Sequence, residues 1–264
     1  DNFKLYNKIK FFRLTHETSP DTMRLIRMRR RLFMTSFTPG QITETQFKSD
    51  YLDREITLSV YLPKDYSDLY KSKVIICFDG QDFFRYGQLH RVYEKLRKKG
   101  EVERAIIIGF HYESVKDRST EFHPQGEKAA KTVQAVVKEL LPWIDRQFAT
   151  YKVGNARLLL GDSLAGSIAL LTGLSYPRVM SQIGILSPYY DDIVKQIFER
   201  CQFKSHLNIW HAIGKEECDF KLPTTGKQAD FLTPNRAFRD LVECEQVTYY
   251  YEELDGGHNW KTWQ

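Results

Sequence analysis

Six short apolar runs, separated by stretches of helical character, constrain the fold of this chain more than any other feature. They are KVIICFD (73–79), RAIIIGF (104–110), ARLLLG (156–161), SQIGILS (181–187), LNIWHAI (207–213) and QVTYYYE (246–252). Several are near-continuous Ile, Leu and Val, the pattern of a strand buried on both faces. Helical stretches fall between them at about 88–99, 127–147, 164–175, 191–201 and 234–243, and Pro142 should kink the longest. Strand–helix alternation demands crossover connections, so the expected class is α/β, a mostly parallel central sheet with helices on both faces. Two alternating strands in 41–63, with a turn near Leu52-Asp53, precede the first run.

No internal repeat or linker interrupts 40–264, which reads as one domain behind a basic N-terminal extension, 1–39. With 42% apolar residues and 14% aromatics, 264 residues can bury a substantial core. The net charge of +5 is uneven: residues 1–38 hold nine Lys/Arg against three Asp/Glu, the other 226 hold 30 against 31. Most of the excess lies in MRLIRMRRRLF (23–33), which reads as an amphipathic segment packing Met23, Leu25, Ile26 and Met28 on the body, with contact to a polyanion or membrane surface the alternative. It is too short and too apolar to argue for nucleic acid. No stretch reaches the length of a membrane span and no charged-then-apolar leader opens the sequence, although the first residue, Asp1, is compatible with a trimmed one.

Four widely spaced cysteines read as reduced thiols, which points to a cytoplasmic protein, with Cys77 a small core residue. The seven histidines lack metal-ligand spacing; His111 and His123 flank one loop, but the expectation is no metal. Without a phosphate-cradling glycine-rich loop there is no call for a nucleotide or flavin, and no cofactor is expected.

One junction carries chemistry. In RLLLGDSLAGS (157–167) an apolar strand runs into Gly-Asp-Ser-Leu-Ala and then into a helix. A serine hydroxyl needs a base and oxyanion donors before it attacks a carbonyl, and a tight strand-to-helix turn presents it. Gly161 supplies the small residue two before Ser163, and Ala165, with one extra methyl, the residue two after. A helix N-cap is the bland alternative. His258, on a Gly-Gly turn after the final strand, stands where the order Ser, acid, His requires a base. The acid belongs to GKEECDF after the strand LNIWHAI, where periodicity leaves Glu216, Glu217 and Asp219 open. For the oxyanion, the expected donors are the N–H of Leu164 and that of Gln81 in CFDGQDFF, with Asp82 second and Gly80 allowing the tight turn; a binding loop unrelated to the oxyanion is the alternative for CFDGQDFF.

With VYLPKDY, FDGQDFF, DRSTEFHP, ELLPWIDRQFAT, LLLGDSLAGSIAL, IGILSPYY, HAIGKEE and DGGHNWKTW in order, the chain from about Gly40 to Trp263 resembles the esterase D-like group of α/β-hydrolases. That group includes siderophore esterases, formylglutathione hydrolases, feruloyl and acetyl-xylan esterases and mycolyltransferases. The resemblance implies the α/β-hydrolase fold, a serine esterase acting on a small-molecule ester, Ser163 as nucleophile, His258 as base and Glu217 as acid. It also implies that Arg118 and Glu121 lie near the site's mouth, orienting substrate or holding the loop as an ion pair. FDGQDFF, in place of a His-Gly oxyanion loop, leans towards the siderophore-esterase branch. Phe83, Phe84, Tyr189, Tyr190 and Trp260 are expected either to line a pocket for a bulky acyl group or to pack as core and rim.

Two features depart from the group: Ala165 replaces a usual glycine, and residues 1–39 have no counterpart, which leaves room for an arm that covers the site or joins a homo-oligomer. An acyltransferase is the alternative with the same residues. A non-catalytic module using the basic arm is the alternative from another class.

Overall fold

The structure is a computed structural model that describes residues 37–222 and 225–264. The basic segment 23–33 and all but the last three residues of the extension 1–39 lie outside the described residues.

The sheet begins with an antiparallel pair, β1 (Ile42–Ser49) and β2 (Arg54–Tyr61), around a turn in which Asp53 takes a left-handed φ of 51°. β3 (Lys73–Phe78), β4 (Ala105–Phe110), β5 (Arg157–Asp162) and β6 (Gln182–Leu186) are buried at every position, as their apolar centres require, with polar residues only at their ends. β7 (Asn208–Gly214) and, beyond a short ribbon of β8 (Phe220–Lys221) and β9 (Gln228–Ala229), β10 (Thr248–Leu254) complete the set. Among the described residues the main sheet has eight strands in the order β1-β2-β4-β3-β5-β6-β7-β10. β2 meets β4 antiparallel, and every pairing from β4 to β10 is parallel. The chain is therefore a mostly parallel α/β protein of the α/β-hydrolase type.

Two apolar clusters fill the two faces. The larger gathers β2, β3 and β4 side chains with Ile168, Leu171, Phe198 and Phe238; the smaller gathers Ile75, Cys77, Leu158 and Leu160 with Phe83, Phe84, Leu89 and Trp263. Phe83 and Phe84 are thus core residues of α1 (Gly80–Arg85), not pocket lining, and Cys77 is a core thiol. α2 (Leu89–Lys98) and α3 (Val115–Phe122) follow; of these two, only α2 carries an apolar stripe plain in the sequence.

The long helical stretch is built as α4 (Ala129–Gln134), a π turn (Ala135–Leu140) and α5 (Leu141–Gln147), and Pro142 does not break it. Pro142 has no N–H, and the wide turn just before it, with Leu141 N–H reaching back to Val136 O, absorbs the missing bond.

α6 (Ser163–Ser175) is apolar all round because it is enclosed all round: of its thirteen residues only Leu164 and Ser175 are not buried. α7 (Asp192–Arg200), capped by Asp191 accepting from the Ile193 and Val194 N–H groups, α8 (Leu232–Glu243) and the C-terminal α9 (Trp260–Trp263) complete the layers. Four cysteines are unpaired, and no helix among the described residues is long and apolar enough to cross a membrane.

Candidate active site

Three strained residues stand at the carboxyl ends of neighbouring strands. Asp79 follows β3 with φ 54°, Ser163 follows β5 with φ 52°, and Ser187 follows β6 with φ 45°. Positive φ costs about 1–3 kcal/mol at a non-glycine residue and persists only where surrounding structure enforces it.

At Ser163 the enforcement is visible. A Cβ on Gly161 would lie 2.1 Å from the Ala165 carbonyl oxygen, so only glycine lets the first turn of α6 fold back on β5. Ala165 is itself fully buried and fits without a glycine. Tyr189 N–H donates to Ser163 O at 3.2 Å, and Ser167 Oγ donates to Tyr189 O at 2.6 Å, tying the turn to the loop after β6. Ser163 keeps 9% of its surface exposed.

His258 lies in the turn between β10 and α9, and its Nδ1 is 2.7 Å from Glu217 Oε2. Glu217 is fully buried; its other oxygen accepts from Ser187 Oγ at 2.6 Å and from the Gly214 N–H at 2.9 Å. Trp263 Nε1 in turn donates to Ser187 Oγ at 3.0 Å. These contacts separate the three carboxylates left open by the sequence. Glu217 meets the histidine, whereas Asp219 accepts from Gln228 Nε2 and Glu216 keeps its backbone N–H on Gly256 O.

The imidazole is enclosed by rings: Phe220 stacked at 5.1 Å, Phe231 edge-on at 4.9 Å and Trp263 edge-on at 5.1 Å. Phe220 belongs to the β8–β9 ribbon between β7 and α8, whose alternation is too short to read from sequence. Among the described residues no hydrogen bond joins Ser163 Oγ to His258. In substrate-free enzymes such bonds are often long and tighten only around the reacting group.

On the opposite side, the Gln81 N–H lies in the first turn of α1 and the Leu164 N–H in the first turn of α6, where backbone donors have no intrahelical acceptor. The left-handed residue of the first turn is Asp79 rather than Gly80. Gly80 is needed for proximity, since a Cβ there would meet the Gly109 backbone at 2.4 Å. The Gln81 side chain donates to Tyr112 O at 3.1 Å.

Arg118 forks onto Asp79, with Nε 2.9 and 2.8 Å from the two oxygens and Nη2 2.5 Å from Oδ2. Glu121, also buried, is paired with Arg54 at 2.7 Å. Burial works against the Arg118 charge, and Asp79 more than offsets it, so the guanidinium is held above its usual range. Asp79 and Asp162 were not singled out by sequence, although a carboxylate closing the apolar run RLLLGD was there to be noticed.

Tyr189, half-buried, has its ring 4.6 Å from His123 and 5.9 Å from Phe231. Trp260 packs edge-on against Phe83 at 5.0 Å and Trp263 at 5.5 Å. Tyr190 turns away to Phe238, 4.8 Å off, over a shallow cavity of about 550 Å³ between α7 and α8. His111 and His123 have separate partners, Ser59 Oγ at 2.8 Å and the Gln125 N–H at 3.1 Å, and among the described residues no cluster of metal-ligand side chains is found.

A family model described as "Putative esterase" matches residues 49–264. The chain belongs to that family. It is accordingly an esterase, a hydrolase of carboxylic esters. A Bacillus subtilis (strain 168) relative, described as "Uncharacterized protein YjcH", is 41% identical over 225 residues, covering 85% of this chain and 93% of its own. Among solved structures, the enterobactin esterase FES from Shigella flexneri aligns with a TM-score of 0.71 at 17% identity, covering 86% of this chain. This chain spans only about half (56%) of that protein's length. An IroE-like serine hydrolase from Shewanella oneidensis aligns with a TM-score of 0.69 at 17% identity, covering 84% of this chain and 77% of its own. At these identities the two structures speak to the fold.

Proposed function

We propose that this esterase works through an acyl-enzyme on Ser163. His258 Nε2 takes the Ser163 proton as Oγ attacks the ester carbonyl. Glu217 accepts the His258 Nδ1–H, which fixes the tautomer and stabilises the imidazolium that forms. The Leu164 and Gln81 N–H groups hold the oxyanion. Collapse of the tetrahedral intermediate expels the alcohol, which leaves with the proton from His258; water, deprotonated by the same imidazole, then releases the acid.

The observation that carries this reading is the pair His258 Nδ1–Glu217 Oε2 at 2.7 Å, set on the same sheet edge as a serine at φ 52°. Replacement of Ser163 by Ala should lower kcat for a short-chain p-nitrophenyl ester by about 10⁴-fold or more. Unchanged turnover would refute the mechanism.

For substrate we propose a small carboxylic ester with a bulky or aromatic acyl group, siderophore-type esters included. The half-buried Tyr189 beside His123 and Phe231 offers aromatic surface next to the serine loop, and FDGQDFF supplies the leaning towards the siderophore branch. A catecholate trilactone should then be hydrolysed faster than p-nitrophenyl acetate; an equal or lower kcat/KM would remove that preference. We propose Arg118 as an indirect contributor through Asp79 and Trp260 as rim. The unpaired thiols support a cytoplasmic setting.

A further inference from the structure

Behind the oxyanion donors lies more negative charge than ester hydrolysis calls for. Asp79, Asp82 and Asp162 all lie in the field of the Arg118 guanidinium, and Asp82 in that of Arg85 as well. The strand register sets Cys77 beside Leu160, so Asp79 and Asp162 leave neighbouring strand ends in step. Each stands two residues before a proposed donor, Asp79 before Gln81 and Asp162 before Leu164.

Arg118 is committed to Asp79 through the fork described above. Tyr112 donates to Asp82 Oδ2 at 3.2 Å, and its ring lies 5.8 Å from the Arg118 guanidinium. Asp162 receives no comparable partner. It is 6% exposed, and its Oδ1 is buried with no hydrogen-bond partner among the described residues. Two full negative charges here would oppose an oxyanion growing against Gln81 and Leu164. Arg118 answers Asp79 and Arg85 answers Asp82, and a proton is the remaining way to remove the charge of Asp162.

We propose that Asp162 is a positioning residue that acts in its protonated, neutral form, so that its proton and the Arg118–Asp79 pair together keep the floor of the oxyanion hole near neutral. The proposal rests on the reading of Ser163 as nucleophile. The groups facing Asp162 are Asp79 and Asp82 from the β3–α1 junction, Arg118 from α3 and its own backbone N–H, with Tyr112 bridging Asp82 after β4. Burial, then the charge of Asp79, moves the Asp162 carboxyl well above the ordinary aspartate range, with Arg118 opposing.

The sign follows. An acid held upward keeps its proton as pH rises past about 4, where an unfolded aspartate has lost it. When the folded group finally ionises, a second negative charge appears under the oxyanion hole and turnover falls on the alkaline side. Stability moves with it, since the folded state binds the extra proton and loses that advantage as pH rises.

Asp162→Asn matches the protonated carboxyl in shape and charge. The test compares pH profiles of kcat/KM on p-nitrophenyl acetate, each scaled to its own maximum, for wild type, Asp162→Asn and Ser163→Ala, with thermal unfolding at both ends of the range. The alkaline limb of Asp162→Asn should lie about one pH unit or more above that of wild type, and its Tm should gain on wild type as pH rises. Superimposed limbs, or no activity at any pH from a variant that unfolds normally, would overturn the proposal. Turnover by Ser163→Ala would remove the nucleophile reading and this proposal with it. An unshifted limb beside an inactive Ser163→Ala removes this proposal alone.

A second arm does not depend on Asp162→Asn folding. Arg118→Gln should lower kcat about tenfold or more with little change in KM, and adding Asp79→Asn should restore most of the loss by removing the charge left unbalanced. Absence of rescue in a folded double variant would overturn the proposal equally.

Discussion

At the scale of single residues, the site is organised by what Glu217 accepts. Ser187 Oγ, the Gly214 N–H and His258 Nδ1 all converge on one buried carboxylate, so its orientation is fixed before substrate arrives. Glu217→Gln would keep the shape but reverse one donor–acceptor relation and allow the wrong imidazole tautomer. We expect a fall in kcat of about 10³- to 10⁴-fold with KM little altered, measured under saturating ester. Ser187→Ala strips Glu217 of a donor and Trp263 Nε1 of its acceptor, both buried. A loss of about 1–3 kcal/mol in chemical denaturation should accompany a smaller fall in kcat. Ser163, His258 and the three candidate acids were legible because a strand end, a turn after the last strand and the loop between them occupy fixed places in the chain. Ser187 was not. Its importance comes from a side-chain bond across 30 positions, which no local pattern announces.

At the scale of elements, the turn from β5 into α6 depends on two backbones nearly touching. Gly161→Ala places a methyl against the Ala165 carbonyl and should destabilise the fold by roughly 1–3 kcal/mol or more while lowering activity; retention of both would contradict the packing described. Ala165→Gly removes only a methyl and should leave the turn in place, with a small loss from the exposed conformational freedom. The β8–β9 ribbon lays Phe220 on the His258 ring at 5.1 Å. Phe220→Ala should loosen the imidazole and lower kcat by about tenfold or more, and stopped-flow acylation would register it. The large apolar strands were readable because parallel strands buried on both faces carry near-continuous apolar centres. The short elements were not: α1, α3, the ribbon and α9 are held by tertiary contacts rather than by a periodicity of their own. Pro142 shows the same limit, since nothing local announces the π turn that stands just upstream of it.

At the scale of the whole molecule, charge is divided between a near-neutral body and a basic N-terminal segment. Phe37, the first described residue, packs its ring 5.2 Å from Phe148. We propose that residues 1–36 are dispensable for the chemistry, so their deletion should leave kcat on small esters within about twofold while changing any association with anionic surfaces. The proposed chemistry as a whole requires Ser163 to be an activated nucleophile. Intact mass after treatment with a fluorophosphonate probe tests it most directly, on wild type and on Ser163→Ala. One adduct on wild type and none on the variant is the predicted result. Equal labelling of both, or none on folded wild type, would contradict it.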